Sequence, residues 1–153
     1  MGDGLTFGER LKKWYPPRKL IAIAFVTVVY GLMYWWISGH QVGYFQQWLA
    51  RQAFWEYWVV AVAMISIGLW VSGATLAAGC AVGIPIAQYL GDQMDAYYAT
   101  IITPDMTAEE LAAYGPRHAY MWWMIVVSFV VIGLIIQLVL RILRKRKEAM
   151  MPW

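Results

Sequence analysis

The chain has 153 residues, 61% of them hydrophobic and 14% charged, with a formal net charge of +3. Soluble domains devote about half of their length to apolar residues, so this composition excludes a soluble enzyme and leaves room for one small membrane bundle. Ten of the twelve Lys and Arg residues lie at the two ends (10–19 and 141–147), which makes them membrane flanks rather than a nucleic-acid surface and places both termini in the cytoplasm.

Residues 5–15 set Leu5, Phe7, Leu11 and Trp14 on one helical face, with Arg10, Lys12 and Lys13 elsewhere. A short basic amphipathic helix of this kind lies flat on an anionic leaflet. Pro16 and Pro17 stop it, because proline lacks a donor and restricts the residue before it. A first span follows over 20–37, closed at its far interface by Tyr34, Trp35 and Trp36. It is too long for the apolar core of a cleavable signal and reads as a retained span.

The next apolar stretch runs from Phe54 to Leu90 with Glu56 its one charge. As a single helix it would reach roughly 55 Å, beyond a ~30 Å hydrocarbon core. Two spans, 54–71 and 74–90, joined by a turn at Ser72-Gly73, are therefore expected. Four spans also return the basic C-terminus to the side of the basic N-terminus, whereas three would separate them. The second of these spans is rich in small residues, and Gly73, Gly79 and Gly83 are its candidate packing positions; the last two form a GxxxG spacing that lets backbones approach. Pro85 would kink it.

A long outer loop, 91–118, carries Asp92, Asp95, Asp105, Glu109 and Glu110 against one basic residue, Arg117. Within it, Thr107 and Glu110 have capping-box spacing, and Gly115-Pro116 ends the short helix they start. A last span covers 119–140. The expected fold is thus all-α: one integral membrane domain over 1–153, of four transmembrane helices and an N-terminal interfacial helix, with both ends cytoplasmic.

Signals for chemistry are sparse. One cysteine, Cys80, precludes an internal disulfide or a CxxC site, and its small apolar surroundings point to packing. His40 and His118 both fall at the outer face, where two imidazoles are candidates to bind haem or copper or to serve a quinone; an outer carboxylate, Asp92 or Asp95, would complete a mononuclear metal site. Glu56 is a candidate intramembrane acid. The acidic loop suits a basic soluble electron carrier, drawn in by long-range attraction. No P-loop, nucleophile elbow, dinucleotide fingerprint or zinc-protease motif occurs.

The run from Lys19-Leu-Ile-Ala-Ile-Ala-Phe through Tyr34-Trp-Trp, followed by Phe54-Trp-Glu-Tyr-Trp, resembles the N-terminal transmembrane part of the C subunit of particulate methane and ammonia monooxygenases. Thr103-Pro-Asp-Met-Thr-Ala-Glu-Glu-Leu through Tyr120-Met-Trp-Trp-Met is similar to that subunit's later loop and span. The likeness lies in aromatic placement. That family's copper site uses an Asp and two His at fixed spacing, and this chain has no such triplet, so no metal ligand is carried over. The resemblance implies a non-catalytic companion.

The leading expectation is an accessory, non-catalytic subunit of a larger inner-membrane enzyme complex of respiratory, photosynthetic or copper-monooxygenase type. Its partners would be larger membrane subunits and the lipid bilayer, not nucleic acid, and the sequence names no cofactor of its own. The alternatives are a redox, quinone or haem-handling subunit using His40 and His118, and a small transporter that oligomerises through Gly79 and Gly83.

Overall fold

The computed structural model describes residues 16–40, 43–115 and 117–150, with the side chains of all but residues 112, 148 and 149. The expected interfacial helix at 5–15 lies outside the described residues. Everything regular among them is helical: α1 (Pro17–Gly39), α2 (Tyr44–Ala50), α3 (Phe54–Ser66), α4 (Trp70–Ala99), α5 (Ala108–Ala113) and α6 (His118–Met150). Three of these, α1, α4 and α6, are long and apolar enough to cross a membrane. The fourth apolar helix, α3, has 13 residues and reaches about 20 Å. This is the makeup of an integral membrane protein.

Pro17 occupies the first helical position of α1, where its missing N–H costs nothing and its fixed φ suits the helix. Along α1 the buried residues are Ala22, Val26, Tyr30, Met33 and Ile37, a stripe at steps of four, four, three and four that faces the bundle. At the centre lies α4, whose buried face is built from Ser72, Gly73, Ala77, Gly79, Cys80, Gly83 and Ala87, among others. Small side chains let its neighbours come close, and the seam between α4 and α6 is the most extensive among the described residues. The oily outer sides of α1 and α6 remain exposed, as a lipid-facing surface requires.

The turn between α3 and α4 is not at Ser72-Gly73, which lie inside α4, but at Ile67-Gly68-Leu69. The expected spans 54–71 and 74–90 therefore become helices of unequal length. Gly68 decides the position: its φ is +93°, a left-handed value that favours glycine. Its N–H donates to the Ile65 carbonyl and the Leu69 N–H to the Met64 carbonyl, the two bonds of a Schellman ending. Ser72 and Gly73 read as a turn by composition, yet their small size serves packing. A side chain at Gly73 would place its Cβ 2.6 Å from the Ala61 carbonyl oxygen of α3.

A break in helices at this depth leaves backbone groups that need partners, and distant side chains supply them. Gln137 of α6 accepts from the Val71 N–H (3.1 Å) through Oε1 and donates to the Gly68 carbonyl (3.2 Å) through Nε2. Lys19 of α1 donates from Nζ to the Ser66 carbonyl at 2.8 Å. These contacts put the start of α1, the α3–α4 turn and the later half of α6 at one end of the bundle. At the opposite end, residues after α1 meet the far end of α4 and the start of α6, as the contacts of Gln46, Gln88, Asp92 and His118 show. Successive long elements thus run up and down. Gln137→Leu is expected to unpair both turn groups and to destabilise the bundle by about 2 kcal/mol. Hydrogen exchange at the Val71 amide should then accelerate well beyond that of mid-helix α4 amides.

The loop expected over 91–118 is also shorter than its composition implies, because α4 continues to Ala99. Asp92 and Asp95 are helical; Asp105, Glu109 and Glu110 lie in the true loop and in α5. The capping box at α5 has its expected form: Glu110 Oε2 accepts from the Thr107 N–H (2.7 Å) and hydroxyl (2.9 Å), and the Glu110 N–H donates back to Thr107 Oγ1 (3.4 Å). Those two bonds from Thr107, the backbone one first, hold the Glu110 carboxyl below its ordinary pKa.

Candidate functional site at the acidic end of the bundle

The apolar part of α4 ends near Leu90, about 30 Å from Trp70 at 1.5 Å per residue. Beyond it the helix carries Gln88, Asp92 and Asp95 at i, i+4 and i+7, which share one face. Against that face sits His118, the first residue of α6 and 5% exposed. Its Nε2 lies 3.0 Å from Asp92 Oδ1, a hydrogen bond, while Nδ1 is 3.8 Å from Asp95 Oδ2, beyond bonding distance. With Nε2 as the donor to Asp92, Nδ1 is left buried and without a partner.

Gly91 makes this placement possible. A Cβ there would overlap the His118 ring, so any other residue would push the imidazole out. Phe45 of α2 also packs against the ring, with centroids 5.4 Å apart. The helix α2 is anchored by Phe45 and Leu49, both buried, and by Trp48 set edge-on to Trp122 at 5.8 Å. It also contributes Gln46, whose Nε2 donates to Gln88 Oε1 at 2.8 Å. Gln88 Nε2 in turn donates to both oxygens of Asp92, at 2.8 and 2.9 Å. A chain Gln46–Gln88–Asp92–His118 thus ties α2, α4 and α6 together.

Hydrogen bonds to its charged form, first from Gln88 and then from His118, hold the Asp92 carboxyl below the ordinary carboxylate range. A carboxyl depressed by folding stabilises the native state above its unfolded pKa, and that contribution disappears as pH falls through the folded value. The bundle should therefore loosen as pH falls below the ordinary carboxylate value of about 4 and onward through the lower folded value. Asp92→Asn should flatten that slope without removing the acid response of the other carboxylates. Thermal unfolding followed across this range in both proteins checks the sign.

The two histidines are not brought together. His40 is exposed, its Nδ1 2.9 Å from the Trp36 carbonyl and its ring stacked on Trp36 at 5.3 Å. His118 has separate contacts, as a buried imidazole beside two carboxylates, Asp92 and Asp95. No group of three or more His, Cys, Asp and Glu with the arrangement of a metal site occurs among the described residues. Glu56 is exposed in the first turn of α3, where an acid favours the helix dipole. Cys80 is fully buried and packs, as its surroundings implied, with its Sγ 3.5 Å from the Tyr30 hydroxyl.

Gly79 and Gly83 face α6 of the same chain: added Cβ atoms would lie 2.7 Å from Phe129 Cβ and 3.0 Å from Trp122 Cδ1. That face is occupied internally and does not present a free surface for a second copy. The acidic segment is folded back onto α4 by Tyr114 against Tyr98 (5.2 Å) and by Arg117, whose guanidinium donates to the Ala113 carbonyl and lies 6.0 Å over the Tyr98 ring. Gly91, Phe45 and Gln46 carried no sequence signal. Gln88 was detectable as the start of the i, i+4, i+7 polar row.

Comparison with protein-family models, with curated proteins and with solved structures finds no match for this chain.

Proposed function

We propose that this protein is an accessory, non-catalytic subunit that stabilises a larger enzyme complex of the bacterial inner membrane. In this reading it crosses four times, α3 giving the short second pass, with both basic ends in the cytoplasm. The parent complex is respiratory, photosynthetic or of the copper-monooxygenase type, the last in keeping with the aromatic resemblance noted above. The observation that carries the reading is α6. It runs for 33 residues, about 50 Å, yet only 17% of its apolar window is buried inside the chain. A helix so long and so little covered has surface for large membrane neighbours as well as lipid.

Purification from its native membrane in mild detergent should recover the protein at fixed stoichiometry with larger membrane subunits. Recovery as a free monomer, together with a parent membrane whose large complexes are unchanged on deletion, would overturn the proposal. A second reading, a quinone-handling subunit, is favoured by the buried, unpartnered Nδ1 of His118 beside Asp92. Organic extraction of the purified protein should then release a stoichiometric quinone with its ultraviolet spectrum, and an extract without one would reject it.

A further inference from the structure

The last third of α6 carries a cationic face beyond the α3–α4 turn. Arg141, Arg144 and Lys145 fall at i, i+3 and i+4, one face of the helix, and with Leu138 and Ile142 they line a surface crevice of about 480 Å³. All five are exposed. Leu138 lies nearest the bundle and Ile142 is interleaved with the cations, so the crevice offers apolar contact and positive charge side by side, as an acyl chain with its headgroup requires.

Its depth matches a bilayer. The apolar run 119–140 spans about 33 Å, so the first arginine lies where the hydrocarbon core (~30 Å) gives way to phosphate. Arg18 and Lys19 are at this same end, since Lys19 reaches the Ser66 carbonyl beside the turn that Gln137 caps. The carboxylates Asp92 and Asp95 are at the other end with His118. Net positive charge therefore gathers at one headgroup level, where basic residues attract anionic lipid.

We propose that Arg141, Arg144 and Lys145, with Leu138 and Ile142, form a binding site for an anionic phospholipid, its phosphate held by the three cations and one acyl chain laid along the two apolar side chains. The bound lipid covers the part of α6 that projects past the α3–α4 turn.

The test is native mass spectrometry of the full chain in neutral detergent, titrated with phosphatidylglycerol or with phosphatidylcholine of the same acyl chains. Phosphatidylglycerol should be retained preferentially. The triple variant R141Q/R144Q/K145Q should lose that preference, with an affinity change of roughly five-fold per charge and on the order of 100-fold for all three. Circular dichroism should show the variant still folded, since these side chains are exposed. Arg51→Gln, which removes a cation from the other end, should leave retention unchanged, and inorganic phosphate should not displace the lipid. Equal retention of the two lipids, or a triple variant that still prefers phosphatidylglycerol, would overturn the site. Loss of a co-purifying acidic protein in the variant, with no lipid preference in either form, would instead assign these cations to a protein contact.

Discussion

Trp122→Ala is expected to cost about 2–4 kcal/mol, the largest loss from truncating any one side chain of the bundle. Trp122 is fully buried and is surrounded by the rings of Trp48, Phe54, Tyr57 and Trp123 at 5.4–6.0 Å, all four edge-on. Its Nε1–H donates to the Cys80 carbonyl at 3.0 Å. In lipid the gain from leaving water drops out, because the surroundings are as apolar as the core. What remains is the cavity and the lost ring contacts, still several kcal/mol for a residue of this size. Trp122→Phe should recover most of the loss and leave a deficit near 1 kcal/mol for the missing hydrogen bond. Trp35→Ala, which removes a ring that is 71% exposed, should stay within about 0.5 kcal/mol. Denaturant titration of the three variants in one detergent measures the order. Hydrogen exchange adds a second readout: Trp122→Ala should expose the α2 amides, because Trp48 rests on this ring.

The class of the molecule was legible in its composition, and the α5 cap and the small-residue packing face were legible in their spacing. These are local features, written in consecutive residues. The α3–α4 turn was misplaced by about five residues because Ser72-Gly73 and Gly68 look alike in a list of small residues. What separates them is the partner, Gln137, some 66 positions away in the chain. The site at the acidic end was legible in part for the same reason. His118 and the carboxylates were visible as residue types, but His40 was joined to His118 because both fall near one interface. The structure joins His118 to Asp92 through Gly91, a residue whose contribution is the absence of a side chain. Steric room leaves no trace in hydropathy or charge.

Gly133→Leu is the second large effect, and it also bears on whether the small-residue face binds another copy. The α4–α6 seam runs antiparallel in one register: Gln137 meets Gly68 and Val71, Gly133 meets Ser72 and Thr75, Phe129 and Val126 meet Gly79, Trp122 meets Gly83, and His118 meets Gly91. Gly133 on α6 and Gly79, Gly83 and Gly91 on α4 thus line the seam, and each one admits a bulky group or the backbone of the other helix. A Cβ at position 133 would overlap the Thr75 hydroxyl, which can rotate, but would also lie 3.1 Å from the Ser72 Cα, which cannot. Gly133→Ala should therefore cost about 1–2 kcal/mol, and Gly133→Leu about 3 kcal/mol or more, since overpacking must separate the helices. Gly31→Ala is the control. Nothing lies within 4 Å of a Cβ built there, and replacing glycine inside a helix should be neutral or stabilise by up to ~1 kcal/mol. Gly79→Leu completes the comparison, because it loads the same seam from the α4 side. If the seam is internal, both leucine variants lower monomer stability together and leave any oligomer's stoichiometry unchanged. A Gly79→Leu protein that keeps its monomer stability but loses an oligomer on size-exclusion chromatography would show that this face serves a second copy, and the packing of α4 on α6 would have to be withdrawn.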